Sequence, residues 1–403
     1  MRQMKVTELS LIEAFFTSLV VGLAETYFPA FSLAKGASPI EAGILVSLPM
    51  IFAVLFQFVV LRKLKNLPVS TWVPLATGIQ VVSLVSLTAF STFEILNPVI
   101  YLLIIYSMYW AGFYSAIPAW NRWVSELVSF EDSQKYFSMR TRVVQVGIVA
   151  GLFMGGFLLH FKQLNWPAEY LFASLFAVCA SLKFLTFKLF RKQTPSSATI
   201  HFDKEKAIAL FNKHKTFFIR CAVFNFSVFF SAPFVASYLL SEKKLSYDHF
   251  MWVMIGLFAG KILMTLVLSK IRKNVSTSSL LFYGAICSAP LPLLWMYCTT
   301  LPLMILLQVV SGTAWACWEV GLSLNFFKHL HEDDKIEVVS IYYLLNVATQ
   351  VLGTLIGAFI LKFIIHENYD MLFVFAGVVR FICAYGVKNQ SFGNEIRSQK
   401  FQF

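Results

Sequence analysis

Charge is scarce in this 403-residue chain: 13% of its residues are Asp, Glu, Lys or Arg, against roughly one quarter in a soluble protein. That shortage excludes an ordinary soluble domain, and the same composition excludes a disordered chain. Cysteine is too sparse for a disulfide-built secreted scaffold. The six cysteines (Cys179, Cys221, Cys287, Cys298, Cys317 and Cys383) stand singly, with no C-x-x-C pair, so neither a zinc site nor a redox motif is indicated. They are expected to act as small core hydrophobes. A G-x-x-x-x-G-K-[ST] phosphate loop is missing too, which argues against an ATP-driven pump. H-E-x-x-H and the G-x-S-x-G nucleophile elbow are also absent.

What the chain has instead is apolar length. Hydrophobic residues make up 58%, and the mean hydropathy is +0.70. A membrane-crossing helix needs about 20 apolar residues. Runs of that kind fall at 9–31, 40–61, 70–92, 98–119, 143–161, 168–190, 216–240, 250–271, 278–297, 301–326, 338–363 and 371–388. The first follows a basic start, Met1 to Lys5, as a signal peptide would. It is longer than a typical signal core and carries Glu13 and Glu25, so it reads as an uncleaved first span. A net charge of +12 in so apolar a chain points to the anionic inner face of a membrane rather than to nucleic acid.

Twelve spans place both termini on one side, and the basic residues say which. Of the 33 basic residues, 25 fall in segments on the terminus side, whereas the opposite side holds Lys35, Lys162, Lys243, Lys244 and Lys362. The positive-inside rule then predicts cytoplasmic termini. The longest polar stretch, 191–215, separates an N-terminal six-helix half (1–190) from a C-terminal one (216–390), with a cytoplasmic tail at 391–403. Within that stretch, Asp203 to Lys215 reads as a short amphipathic helix on the inner leaflet. A shift of 201 places Glu131-Asp132 on Glu332-Asp333, Gln145 on Asn346 and Gly156 on Gly357. Parallel six-span repeats of this kind carry their binding site near the midplane between halves.

Several motifs resemble the major facilitator superfamily. Gly147-x3-Gly151-Leu152-x2-Gly155-Gly156 resembles the glycine-rich motif of its antiporters, with Leu152 where they carry proline. Pro118-x-Trp120-x2-Trp123, Leu127-Val128 and Tyr136-Phe137-x2-Arg140 are similar to a bacterial subgroup of mostly undefined substrate. The loop after the second span, Val60 to Lys65, keeps the basic residues of the family's Gly-x3-Asp-Arg motif but neither its glycine nor its aspartate. In the fourth span, Tyr109-Trp110-Ala111-Gly112 replaces the arginine that resembles a proton-relay element in drug antiporters. Those departures weigh against proton-driven drug export. The resemblance implies an all-α integral membrane fold of twelve transmembrane helices in two pseudo-symmetric six-helix halves.

Ionisable residues inside spans are costly and usually face a cavity or a partner. Glu25, four residues before Pro29, suits proton binding, or else a structural ion pair or hydrogen bond to a neighbouring helix. Lys261 lies too deep in the eighth span to snorkel easily, so it should meet a carboxylate or face water. By resemblance that span borders the central cavity. Glu319, in Trp315-Ala-Cys-Trp318-Glu319, reads either as a carboxylate between two indoles that holds a cationic or aromatic ligand, or as a partner of Lys261 locking the halves together. Arg380 and Lys183 read as supporting or snorkelling residues, and Glu13 and Arg220 as snorkelling or gating ones. Gln57, Gln145, Asn225, Gln308, Asn346 and Gln350 add uncharged polar groups that serve as packing glue or ligand contacts. Asn346 and Gln350 share one helical face. Gly147, Gly151 and Gly155, Gly256 and Gly260, and Gly353 and Gly357 recur at the spacing that lets helices approach closely.

In the loop after the fourth span, Arg122, Glu126, Glu131, Asp132, Arg140 and Arg142 form a mixed-charge cluster. It reads as a cytoplasmic gate of salt bridges or as a solvated loop. His329-Leu-His331-Glu-Asp333-Asp334 has an H-x4-D spacing and ligands enough for a divalent metal. The loop lacks a folded domain to orient a catalytic pair, so neither enzyme activity nor a metal or cofactor is expected. The favoured reading is a secondary active transporter. It moves a small organic solute across the cytoplasmic (inner) membrane by alternating access, as a monomer, with protons as a candidate coupling ion. Its substrate or coupling residues would be Glu25, Lys261, Glu319, Gln57, Asn346, Gln350, Tyr27, Trp110 and Trp315, with Arg122, Glu126, Arg140 and Arg142 at the gate. The alternatives are a transporter-like receptor or assembly protein, and an intramembrane enzyme.

Overall fold

The computed structural model describes residues 6–94, 96–128, 130–270, 276–330 and 334–388, and every regular element among them is a helix. Twelve helices are long and apolar enough to cross a membrane. Numbered as spans 1 to 12, they are Thr7–Ala34, Pro39–Lys63, Val69–Thr92, Pro98–Leu127, Met139–His160, Ala168–Lys192, Lys215–Glu242, Tyr247–Leu268, Thr277–Trp295, Leu301–Phe326, Ile336–Ile364 and Tyr369–Gly386. Their ends match the hydropathy runs closely except in span 4, which continues to Leu127. There the chain turns polar but stays helical, because backbone hydrogen bonding sustains a helix past the point where apolarity stops.

Local chemistry sets the helix starts. Span 2 opens with a reciprocal capping box. The Glu41 amide donates to the Ser38 hydroxyl at 3.2 Å, and the Ser38 amide donates to the Glu41 carboxylate at 2.8 Å, with Pro39 at the first helical position. Ser276 caps span 9 and Asn368 caps span 12 by accepting from a backbone amide of the first turn.

The chain forms two compact units, one of Met1–Phe202 with Leu239–Met251, the other of Asp203–Tyr238 with Trp252–Phe403. Each repeats the same five helix pairings. In the first, span 1 packs on spans 5 and 6, span 2 on 4, and span 3 on 4 and 6. In the second, span 7 packs on 11 and 12, span 8 on 10, and span 9 on 10 and 12.

The register of the repeat is carried by glycines. A Cβ at Gly151 would overlap the Leu19 carbonyl, and one at Gly155 the Tyr27 ring; a Cβ at Gly353 would meet the Phe226 carbonyl and one at Gly357 the Phe230 carbonyl. Spans 1 and 7 approach their partners so closely that no side chain fits between them. The matching glycines are 202 apart, one more than the shift read from sequence, and Gly156 meets Met251 instead.

Spans 1 and 7 are also interrupted at corresponding places, by 3-10 turns at Glu25–Tyr27 and Ala232–Phe234. Pro29 and Pro233 explain both breaks: the ring collides with the carbonyl four residues back and offers no amide hydrogen.

The stretch after span 6 belongs half to each unit. Residues 194–202 lie extended on the first unit. The Trp123 indole donates to the Thr194 carbonyl at 3.0 Å, Ser70 to the Ser196 carbonyl at 2.7 Å, Val69 N–H to the Ala198 carbonyl at 2.9 Å, and Ile200 N–H to the Leu64 carbonyl at 3.2 Å. From Lys204 to Lys213 the chain is helical, capped by Asp203, as the sequence implied. Its buried face (Ala207, Leu210) packs on span 11 instead of lying on lipid, and Lys206 pairs with Asp334 at 3.0 Å.

Candidate functional site

In the first unit, polar groups converge on the break in span 1. The Tyr109 hydroxyl of span 4 donates to the Glu25 carboxylate at 2.5 Å. The Tyr106 hydroxyl, one turn earlier, donates to the Phe28 carbonyl at 3.1 Å beside the break, and its ring stacks on Phe28 with centroids 4.4 Å apart. From span 6, the Lys183 ammonium donates to the Gln80 side-chain oxygen of span 3 at 3.0 Å and lies in electrostatic range of Glu25. Lys183 is 2% exposed, so it does not snorkel. A buried ammonium needs a partner, and four helices bring one within reach.

In the second unit, Lys261 of span 8 and Glu319 of span 10 form an ion pair of 2.7 Å. Close packing of the two helices makes it possible: a Cβ at Gly260 would overlap the Val309 carbonyl, and one at Gly312 the Leu257 carbonyl. The Lys261 side chain is 17% exposed and that of Glu319 51%. The Phe258 ring lies 5.7 Å from the ammonium, and Tyr343 is in electrostatic range of Glu319. Both partners belong to one unit, so the pair does not lock the two halves together. Nor is Glu319 flanked by two indoles. Trp318 is buried against Phe224, centroids 4.5 Å apart, and Trp315 packs on the same core. Adjacent helix positions differ by about 100°, so Trp318 and Glu319 face different ways.

The amides divide into used and unused. Asn225 donates to the Cys221 carbonyl at 3.0 Å. The side-chain oxygens of Gln57, Gln145 and Asn346 are buried without a hydrogen-bond partner among the described residues. Gln350 is buried one turn beyond Asn346. Gln308 is buried beside Gly256. The Tyr27 hydroxyl is occupied by the Leu152 carbonyl at 3.1 Å, and its ring is fully buried. Trp110 sits half-buried between Tyr109 and Tyr114.

The mixed-charge cluster resolves into separate contacts, all within the first unit. Arg140 donates to Glu13 at 3.0 Å and to the Ser10 carbonyl at 2.8 Å, with the Trp120 ring 4.1 Å away. Glu13 is therefore buried and paired, not snorkelling. Arg122 and Glu126 pair at 3.4 Å along one exposed helix face, and Glu126 accepts from Ser196 at 2.5 Å. Arg142 is exposed. The side chains of Glu131 and Asp132, and residues 331–333 of the histidine loop, lie outside the described residues. Arg220 is exposed and donates to the Gly386 carbonyl at 2.6 Å. Arg380 is buried, donating to the carbonyls of Ser288 and Val228 and to the Ser231 hydroxyl. Four cysteines are buried in the core, whereas Cys287 is exposed and Cys383 half-exposed.

Sequence reasoning overlooked Gln80, Tyr109 and the role of Lys183. The available signal was charge balance, since a buried lysine in one half requires a carboxylate or amide acceptor in the same half.

No curated protein matches the sequence. Solved structures share the fold at low identity. A point mutant of the nucleoside transporter NupG superposes with a TM-score of 0.74 at 13% identity, covering 95% of this chain and 99% of that one. A bacterial homologue of the iron transporter ferroportin, inward-facing, gives 0.71 at 13%, covering 95% and 97%. A bacterial homologue of the human lysosomal transporter Spinster, also inward-facing, gives 0.67 at 13%, covering 97% and 95%. The family model of the Major Facilitator Superfamily matches residues 11–235. That match spans more than half of the sequence, and the chain therefore belongs to the Major Facilitator Superfamily and is a multi-pass membrane transporter.

Proposed function

We propose that the protein is a secondary active transporter that carries a small organic solute across the cytoplasmic membrane by alternating access, with both termini cytoplasmic. The observation that carries this reading is the Lys261–Glu319 pair. A carboxylate half exposed about 10 Å from the nearer end of a spanning helix is too costly to leave against lipid. It faces water or a solute. Within the same unit, the Asn346 side-chain oxygen is buried without a hydrogen-bond partner among the described residues and is the acceptor such a solute would use; Gln57 is the corresponding candidate contact in the first unit. Trp315 and Gln350 are the further substrate contacts proposed in the second unit, and Trp110 and Tyr27 those proposed in the first, where Tyr27 also ties span 1 to span 5. Proton coupling through Glu25 or Glu319 is the second part of the proposal. Arg122, Glu126, Arg140 and Arg142 form the cytoplasmic gate of this reading, in which Arg140 ties span 5 to span 1 through Glu13 and Glu126 ties span 4 to Ser196. The chain acts as a monomer and catalyses no reaction.

The test is a thermal-shift screen of the purified protein against metabolites, sugars, peptides, lipids and drugs at two pH values. A ligand at 100 times its dissociation constant stabilises the fold by about 2.7 kcal/mol. Lys261→Ala and Glu319→Gln are each expected to abolish the shift. Hits that persist unchanged in both variants would remove the pair from the site.

A further inference from the structure

Four charges of the first unit run along span 1 in alternating sign. Arg140 is bonded to Glu13 at 3.0 Å. Lys183 is in electrostatic range of both Glu13 and Glu25, and Glu25 accepts from Tyr109. Twelve residues separate the two carboxylates, roughly 18 Å of helix. The Lys183 ammonium has a single direct acceptor among the described residues, the Gln80 oxygen at 3.0 Å. The Gln80 nitrogen is itself buried without a partner among those residues. Gln80 in turn is seated against span 4 at Gly112, where a Cβ would collide with its side chain. Gly112 and Tyr109 are three residues apart and so lie on one face of span 4. One face therefore positions both the acceptor of Lys183 and the donor to Glu25.

We propose that Lys183 is the internal counter-cation of Glu25, a positioning residue seated beside this carboxylate by the face of span 4 that carries Tyr109 and Gly112. The inference rests on the reading of Glu25 as a coupling group and makes that group a pair. A proton arriving at Glu25 leaves one buried cation with no opposing charge near the break. An uncompensated buried charge is costly, so occupancy of Glu25 changes the energy with which spans 1, 4 and 6 are held together. The titratable groups facing the pair are Tyr109 of span 4, Cys179 of span 6 and Glu13 of span 1. Glu13 already has its own cation in Arg140, which leaves Glu25 as the carboxylate that depends on Lys183.

The test is a charge-deletion cycle on the full-length protein in detergent, read by thermal unfolding. Lys183→Met is expected to lower Tm strongly, Glu25→Gln to lower it as well, and the double variant to recover most of the loss. Lys183→Arg keeps the cation and is expected to lie close to the unmodified protein. Where Lys183→Met alone fails to fold, a folded double variant supports the pair, and a double variant that fails as well overturns it. Additive losses would likewise overturn it, making Lys183 a packing residue. Gradient-driven uptake supplies the second readout. Lys183→Met, rescued for folding by Glu25→Gln, is expected to lose the pH dependence of uptake. A non-additive cycle beside wild-type uptake indifferent to pH would keep the pair and discard proton coupling.

Discussion

At the residue scale, the intramembrane charges differ by how their cost is met. Glu13 and Arg140 neutralise one another in a largely buried pair supplemented by Ser10 and the Trp120 ring. Removing one member leaves an uncompensated charge, so Glu13→Ala is expected to cost about 3 kcal/mol. Thermal unfolding should show that loss, and Glu13→Ala with Arg140→Met should recover part of it; a Glu13→Ala variant as stable as the parent would mean the pair is solvated. Lys261 and Glu319 differ in being partly exposed, so their pairing contributes less to the fold. Deleting either should therefore change ligand binding more than stability. Tm values of Lys261→Ala and Glu319→Gln close to that of the parent, with binding lost, are the expected result.

The same contrast explains what was legible residue by residue. Glu25, Lys261 and Glu319 stand out in sequence because a charge in an apolar run is conspicuous. Their partners do not: Gln80 and Tyr109 are ordinary residues in a spanning helix, and only helix rotation decides what they touch. Trp318 shows the reverse error. Its neighbour in sequence is Glu319, yet a rotation of about 100° per residue sends it into the core against Phe224.

At the scale of helices, close approach is the organising constraint. Gly151 and Gly357 each sit against a carbonyl of the neighbouring span, and overpacking typically costs about 1–3 kcal/mol. Gly151→Ala and Gly357→Ala should each lower Tm accordingly. Gly78→Ala, where an added Cβ meets only the Phe187 ring at 3.9 Å, should leave it unchanged or higher. Equal Tm values for all three would mean the glycines are not what seats spans 5 and 11. Span ends were legible because hydropathy changes sharply there. The register of the repeat was not, since shifts of 201 and 202 differ by one helical position that only the packed glycines resolve.

The strap of residues 194–202 is a second helix-scale device, held by Trp123, Ser70 and Glu126. Trp123→Phe keeps an aromatic ring and loses one hydrogen bond, about 1 kcal/mol. Limited proteolysis should then cleave within 194–202 faster than in the parent; an unaltered rate would show that the remaining bonds suffice to hold the strap.

At the scale of the whole molecule, two units of different sequence reuse five helix pairings and a proline-induced break in their first helix. Hydropathy was enough to anticipate twelve spans. The charges already fall at unlike positions in the two halves of the sequence, and the breaks were what stayed hidden: Glu25 occupies the break of span 1, whereas Ala232 occupies the matching place in span 7. The second unit instead carries an ion pair on spans 8 and 10. The fold is shared, and the polar groups are placed separately in each unit, as expected when function resides in sites built on a common scaffold.

The most direct measurement is uptake, into proteoliposomes, of the solute found by thermal shift, compared between the parent and Lys261→Ala. The parent is expected to accumulate the solute along a gradient and the variant, still folded, to do so at a rate lower by roughly ten-fold or more, equivalent to about 1.4 kcal/mol. A solute that binds the parent but never crosses the membrane would contradict transport and favour a receptor built on a transporter fold.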